Sequence, residues 1–306
     1  MRPLTGIALK LASVMLFITM SALIKAVAGH VPPGESVFFR SFFAIPVILT
    51  WLALRGDLRT GLRVRSPMGH FWRGFVGTAA MGMGFAALGL LPLPEVTALG
   101  YAAPLLVVVF AAMFLNEQVG VFRISAVGLG LIGVLIVLAP RLTALSGPVV
   151  ETMQAVGAML ALTGAICAAL AQIYVRKLVQ TEETSAIVFY FSVTSTLLSL
   201  LTLPFGWVLP TGAELGLLVL AGLLGGIGQI FLTSSYRFAD ASVVAPFDYA
   251  SILFALGIGY FIFDEVPTGA MLTGASLVVV AGIIIIWRER QLGIRRNKAR
   301  AARTPE

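Results

Sequence analysis

The chain has 306 residues, of which 58% are hydrophobic and 11% are charged, and its mean hydropathy is +0.98. This composition leaves too few polar side chains to cover a water-soluble globule of that size, so it excludes a soluble protein. The net charge of +7 is concentrated in loops and in the C-terminal tail. Beside a membrane we interpret such charge as fixing topology and contacting anionic lipid, not as a nucleic-acid site.

Apolar runs of about 20 residues, the length that a helix needs to cross a bilayer, follow one another along the chain. We predict an all-α integral membrane protein with ten transmembrane helices. The first run is of full span length and lacks a convincing cleavage site, so we expect it to stay in place. The predicted spans are 4–27, 35–54, 73–91, 95–115, 122–139, 154–175, 185–206, 215–236, 242–263 and 268–287.

The second half of the chain repeats the first. A shift of 148 positions aligns Tyr101 with Tyr249 and Glu117 with Glu265 without a gap. Identities are sparse, and the shared hydropathy pattern carries more weight than the letters. The chain is therefore interpreted as a duplication.

Each repeat contains five spans, the first over residues 4–139 and the second over residues 154–287. Near the start of the repeats the shift is 151, which aligns Lys25 with Arg176. Because five is an odd number, the second repeat enters the membrane from the opposite side and gives an inverted repeat. Two halves that can exchange conformations suit alternating access, so transport is the function that this symmetry predicts.

The distribution of lysine and arginine predicts the orientation. Most of the 21 basic residues lie on the side of the N-terminus, including the cluster in the second loop and the tail at 288–306. By the positive-inside rule both termini are cytoplasmic, and we expect a multi-pass protein of a bacterial inner membrane.

Three features together resemble a known family. They are the arginine in the second span (ESVFFRSFFAIP), the acidic pairs that close spans four and nine, and the glycine-rich fifth span (ISAVGLGLIGVLIVLAP). Together with the two five-helix repeats they are similar to EamA-type carriers of the drug/metabolite transporter superfamily. The resemblance covers residues 4–287 and implies a central cavity lined by spans one, three, four, six, eight and nine.

Asp248 is the sharpest single candidate for a binding site, because an acid inside a span is costly and demands a reason. Its equivalent in the first repeat is Gly100, so the acid is not a structural feature that both repeats share. Asp248 either lines the cavity and couples transport to protons, or is an acid capped near the inner interface or paired with Arg237.

Further polar candidates follow helical spacing. Gln229 and Thr233 lie on one stripe of span eight, which either lines the cavity or forms a hydrogen-bonded seam between helices. Gln172 in span six and Ser21 in span one are weaker candidates of the same kind. For a lone serine the alternative is a hydrogen bond to its own helix.

Aromatic residues supply the last candidates. Tyr101 and Tyr249 are related by the repeat and would present rings from opposite sides of the centre, with Phe17 adding to the wall. A planar ligand would stack between such rings. Because the chain has 20 phenylalanines, an ordinary packed bundle would also show aromatic lining.

Two charged features are predicted to be structural. Arg40 in span two is expected to pair with Glu35 or to extend to the interface. The pairs Asn116-Glu117 and Asp264-Glu265 are expected to cap the helix that follows each of them.

The sequence therefore predicts a secondary transporter of a small metabolite, with riboflavin uptake as the first expectation. The alternatives are S-adenosylmethionine, or an amino acid or drug, imported or exported by the same fold. We expect no enzyme, metal or cofactor, because the two histidines, His30 and His70, are predicted in loops on opposite faces. A sensor or scaffold is opposed by the absence of an output domain. The sequence fits a monomer or a homodimer.

Overall fold

The computed structural model describes residues 3–58, 60–115, 120–142, 149–178, 181–238 and 245–301. These ranges are helical and contain no strand. Two short 3-10 helices cover Leu203–Phe205 and Ala245–Tyr249. The α-helices are α1 (Pro3–Val27), α2 (Pro33–Leu54), α3 (Pro67–Leu90), α4 (Leu93–Gly100), α5 (Ala102–Leu115), α6 (Val121–Leu142), α7 (Val149–Leu178), α8 (Thr184–Leu200), α9 (Gly212–Phe238), α10 (Ala250–Phe263) and α11 (Gly269–Ala301).

The prediction of ten helical spans is confirmed, with α4 and α5 forming one of them. Seven spans are long and apolar enough to cross a membrane by length and composition, and the other three are α3, α8 and the stretch Phe247–Phe263. The boundaries differ by five or more residues at four places. Helix α7 begins five residues earlier than predicted, at Val149, and α8 ends six residues earlier, at Leu200. Helix α3 begins six residues earlier than predicted, at Pro67, because proline suits the first helical position. Helix α11 continues through the basic tail to Ala301.

Span four is interrupted at Tyr101, and the described part of span nine begins with a 3-10 helix that ends at the equivalent Tyr249. Helix α4 ends at Gly100 and α5 begins at Ala102, leaving Tyr101 in a turn. Pro104 lies four residues after Gly100 and offers no backbone N–H to the Gly100 carbonyl, which accounts for the break. In the second repeat, the 3-10 helix Ala245–Tyr249 precedes α10. Interrupted helices expose backbone polar groups at mid-span, which transporters use to line their sites.

The helix contacts follow the inverted repeat. Helix α1 packs along α9, and its equivalent α7 packs along α3. Helices α2 and α8, which are equivalent to each other, are in contact, as are α6 and α11. The pseudo-two-fold axis therefore passes between the members of these two pairs. We call the face where α1 begins the near face, and the face where it ends the far face.

Glycines allow the close packing of α2 against α9. A Cβ atom on Gly222 would lie 2.5 Å from Cβ of Phe43, and one on Gly226 would lie 2.9 Å from Cβ of Val47. Real side chains do not approach so closely, so only glycine fits at these two positions. Small residues four apart on a helix permit this contact in lipid. The packing of α9 fixes the position of the following Gln229.

Candidate functional site

An ion pair joins α1 to the start of span nine. Lys10 Nζ lies 2.7 Å from Oδ1 of Asp248, and the side chain of Lys10 is only 2% exposed whereas that of Asp248 is 50% exposed. A buried ammonium is tolerated in a membrane helix only with an anionic partner, so the pair satisfies Lys10. The carboxylate of Asp248 keeps about half of its surface exposed. The alternative partner named above, Arg237, has its side chain outside the described part of the chain.

Lys10 was missed as a functional residue by sequence reasoning, although the sequence held a signal for it. Span one holds two cations, Lys10 and Lys25, and Asp248 is the lone acid of span nine. Of the two lysines, Lys10 lies toward the cytoplasmic side of the predicted topology, as Asp248 does. Opposite charges at similar depth in two different spans are candidates for one pair.

The two repeat-related tyrosines contact each other. The ring centroids of Tyr101 and Tyr249 are 5.1 Å apart at an interplanar angle of 66°. The Tyr101 hydroxyl lies 2.5 Å from Oγ of Ser251 and 3.3 Å from the backbone oxygen of Tyr249. Ser251 Oγ donates in turn to the backbone oxygen of Asp248 at 2.7 Å. Tyr101 is thus hydrogen-bonded to the start of span nine in the other repeat, next to Asp248. No planar ligand fits between the two tyrosine rings in this conformation.

Phe17 and Ser21 lie on α1 beside α9. The Phe17 ring lies 3.1 Å from where a Cβ of Gly228 would be, so it packs tightly on α9. Ser21 Oγ donates to the backbone oxygen of Phe17 at 3.0 Å, which is the hydrogen bond within its own helix named above as the alternative. Their role as site residues stays a prediction.

Gln229 lines a small pocket between α2, α8 and α9. The pocket has a volume of only about 10 Å³, which is room for about one water molecule, and it opens to the outside. Gln172 is exposed on α7 and lies apart from this pocket. The side chain of Thr233 lies outside the described residues. The other residues of the pocket are Ile48, Trp51, Thr184, Ser185, Val188 and Ile230.

A polar network lies at the far face. Lys25 Nζ lies 2.9 Å from Oε1 of Glu265 and donates to the backbone oxygens of Leu88 and Leu91 at 3.0 Å and 2.6 Å. Glu265 Oε2 accepts a hydrogen bond at 2.8 Å from the N–H of Leu93, which is the first residue of α4. The prediction that Glu265 caps the helix following it is wrong, because its carboxylate caps α4 of the other repeat. The predicted cap Asn116-Glu117 lies outside the described residues.

A second bridge at the far face joins α4, α6 and α7. Arg141 holds the carboxylate of Glu95 with two hydrogen bonds, from Nη2 at 2.6 Å and from Nε at 3.0 Å. Arg141 Nη1 also donates to Gln154. Two parallel bonds between a guanidinium and a carboxylate are among the strong pairings of proteins. Together with the Lys25 network, this bridge ties the two repeats together at the far face.

At the near face, Glu182 fixes the start of α3. Its Oε1 accepts the N–H groups of Arg65 and Ser66 at 2.7 Å and 2.6 Å. Burial raises the pKa of Glu182, but the two N–H groups and the neighbouring His70 outweigh it and hold the pKa below its usual value. The placement of His70 in a loop is wrong, because it lies buried in the first turn of α3.

The prediction for Arg40 is also wrong. Its side chain neither pairs with Glu35 nor reaches an interface, since the residue is only 3% exposed. Glu35 Oε2 instead accepts the N–H of Val208 at 3.1 Å. The chain between Gly206 and Val208 turns back over the start of α2, which brings that N–H to the carboxylate. Nε and Nη1 of Arg40 are buried without a hydrogen-bond partner in the described ranges.

Comparisons with known proteins agree with this architecture. The sequence profile of the EamA-like transporter family matches residues 4–139 and 155–288. The chain belongs to this family. The prediction of an EamA-type membrane carrier is thereby confirmed. The family places the chain among transporters of small metabolites.

Three relatives show the range of named substrates. The chain is similar to the pseudopaline exporter CntI of Pseudomonas aeruginosa, with 31% identity over 92% of this chain and 95% of that one. It is also similar to the S-adenosylmethionine uptake transporter of Rickettsia felis, with 27% identity over 97% of each chain. A riboflavin transporter of Rhizobium johnstonii is 28% identical over 90% of this chain and 84% of that one.

A crystal structure shares the fold. It superposes with a TM-score of 0.66 at 22% identity, covering 92% of this chain and 97% of the other. At that identity the likeness concerns the fold alone. Among the described residues no group of three histidine, cysteine or acidic side chains is placed to hold a metal ion.

Proposed function

We propose that this EamA-family protein is a secondary transporter that imports a small, charged metabolite across a bacterial inner membrane by alternating access. The observation that carries the proposal is the ion pair of Lys10 and Asp248 between α1 and span nine. A charge pair inside a membrane bundle, with its acid half exposed, is typical of a solute or proton site. Its equivalent positions in the other repeat are Ala161 and Gly100, which carry no charge.

The contacts at the two faces support alternating access. We infer that the Lys25 network and the Glu95–Arg141 bridge close the far face in this conformation. The repeat assigns Arg176 and Glu117 to the positions at the near face that Lys25 and Glu265 occupy at the far face. We infer that the near face closes when the Lys25–Glu265 pair at the far face opens. With both termini cytoplasmic, the far face is periplasmic.

S-adenosylmethionine is our first candidate solute. It carries both positive charge and a carboxylate, and a site that contains a half-exposed acid offers a partner for the positive charge. The relative from Rickettsia felis, whose name gives this substrate, supports the choice.

Riboflavin, the first expectation from the sequence, is the second candidate. The contacting rings of Tyr101 and Tyr249 favour it, since a planar ring system would stack between them once the two repeats move apart. It ranks second because it is uncharged and offers no cationic group to the half-exposed carboxylate of Asp248.

Uptake into proteoliposomes tests the proposal. Labelled S-adenosylmethionine and riboflavin are supplied outside, and wild type is compared with Asp248→Asn and with the control Asp57→Asn in an exposed loop. We expect uptake of one solute by wild type and by Asp57→Asn, and a loss of about tenfold or more in Asp248→Asn. Undiminished uptake in Asp248→Asn across the pH range would remove that residue from the mechanism. Flux of neither solute would refute both substrate assignments.

A further inference from the structure

Two arginines meet one aromatic ring inside the bundle. The guanidinium carbon of Arg73 lies 3.8 Å from the ring centroid of Phe191, and that of Arg40 lies 5.7 Å from the same centroid. The three residues come from α3, α8 and α2. We call them the arginine cluster. Neither Arg40 nor Arg73 belongs to the sites described above.

The arginine cluster lies on the pseudo-two-fold axis. The segments VFFRS at 37–41 and VFYFS at 188–192 align at the shift of 151, so Arg40 and Phe191 are repeat equivalents. Equivalent residues that touch must lie beside the axis relating them, and an axis in the membrane plane lies near its middle. The cluster is therefore near mid-depth, where the two halves meet and where a shared solute site belongs.

Glycines make room for both guanidinium groups. A Cβ on Gly225 would lie 3.1 Å from Nε of Arg40, and a Cβ on Gly77 would collide with Nη1 of Arg73. Gly77 and Gly225 are themselves equivalents at the shift of 148. Each repeat thus leaves a side-chain-free patch on its third helix, and an arginine lies against each patch.

The charge of the cluster is uncompensated by protein. Within the described ranges no carboxylate lies within salt-bridge distance of Arg40 or Arg73. Nε and Nη1 of Arg40 and Nε of Arg73 are buried without a hydrogen-bond partner there. Two like charges at mid-depth repel each other, and the face of one phenyl ring offsets only a small part of that cost. Buried donors without partners are rare, so those of the cluster require an explanation.

We propose that the arginine cluster binds a carboxylate group of the transported solute. Two guanidinium groups supply parallel N–H donors in the geometry that a carboxylate accepts. The pocket lined by Gln229 lies separately, nearer to the near face, because Ile48 is two turns beyond Arg40 on α2 and Val188 is about one turn before Phe191 on α8. The assignment rests on the proposed transport function.

A binding experiment with a simple anion tests the site separately from transport. The purified protein in detergent is heated with sodium benzoate or with the neutral isostere benzamide at fixed ionic strength, and the unfolding midpoint is measured. We expect benzoate, and not benzamide, to raise the midpoint of wild type in a saturable manner. Arg40→Gln and Arg73→Gln should weaken the apparent benzoate affinity by about tenfold or more, since each removes a charged donor.

The control variant is Arg55→Gln, because Arg55 also stacks on a ring, that of Trp51, but at the exposed end of α2. It should respond to benzoate as wild type does. If either glutamine variant fails to fold, Arg40→Lys and Arg73→Lys replace it, and they should bind benzoate more weakly because an ammonium lacks the paired donors.

An equal response of wild type to benzoate and benzamide overturns the proposal, as does an unchanged benzoate response in Arg40→Gln and Arg73→Gln. Solute uptake measured on the same preparation separates the two conclusions. Uptake without a benzoate effect leaves transport standing and removes the carboxylate site. A benzoate effect without uptake of any solute leaves the anion site standing and removes the proposed function.

Discussion

Breaking the Lys25 network should open the far face. In Glu265→Gln the side chain keeps one oxygen, which can serve either Lys25 or the N–H of Leu93 but not both. The charge on Lys25 also loses its anionic partner, although two backbone oxygens still accept from it. One lost charged hydrogen bond in a site only 13–14% exposed costs the closed state about 2 kcal/mol. At 1.4 kcal/mol per factor of ten, the open population rises by about 30-fold.

Thiol labelling measures that shift. The single native cysteine is removed with Cys167→Ala, and Ser21→Cys places a reporter one turn below Lys25. A membrane-impermeant maleimide is then added to intact cells. The labelling rate in Glu265→Gln should exceed that of the parent by about tenfold or more, because the rate follows the open population until that state predominates.

Asp264→Asn is the matched control. Asp264 is the exposed neighbour of Glu265 and holds a positive φ of 53°, which asparagine adopts readily. This variant removes the same charge from the same loop without touching Lys25, so its labelling rate should equal that of the parent. Equal rates in Glu265→Gln and the parent, or an equal increase in Asp264→Asn, would show that the network does not hold the far face shut.

Three further predictions concern coupling, pH and packing. Asp248→Asn should reduce uptake by about tenfold or more while the unfolding midpoint moves by only a few degrees, because the half-exposed acid serves transport more than folding. Glu182→Gln should lower stability at neutral pH by about 2 kcal/mol. Because the folded pKa of Glu182 is lowered, its contribution is complete above the ordinary value of about 4.3 and is lost as the pH falls through the folded value, so the two unfolding curves should converge in acid. Convergence at alkaline pH instead would contradict the assignment. Gly226→Leu should destabilise the protein by about 1–3 kcal/mol by overpacking α2 against α9, whereas Gly216→Leu, which has open space around it, should leave the midpoint unchanged.

The sequence was sufficient for the spans, the duplication and the family, because hydropathy and repeat spacing depend on local composition alone. The irregular helix geometry near Tyr101 and Tyr249 could also be predicted from the sequence. Pro104 and Pro246 are visible in the sequence, and each removes a backbone donor near mid-span.

The partners of charged side chains could not be read in the same way. The pairing of Lys10 with Asp248 depends on the rotation of α1 about its axis, which no single-helix pattern fixes. Glu265 was expected to cap the helix after it because that helix is near in sequence. It caps α4 instead, since inversion of the repeats brings that helix start to the same face. Arg40 was assigned to Glu35 for the same reason of proximity along the chain, yet its ring partner, Phe191, lies in the other repeat.

Positions that carry the same residue in both repeats have a different role from positions at which the two repeats differ. Gly77 and Gly225, and Tyr101 and Tyr249, are alike in both repeats and shape the backbone and the centre. States open to opposite faces can be of similar energy only if the framework that rearranges between them is nearly symmetric. A metabolite has no two-fold symmetry, so its site must break that of the protein. The charged positions break this symmetry. In the alignment of the two repeats, Asp248 corresponds to a glycine, Lys10 to an alanine and Arg40 to a phenylalanine. On this reasoning, substitution at an agreeing position should disturb the balance between the two states, whereas substitution at a disagreeing position should change which solute is carried.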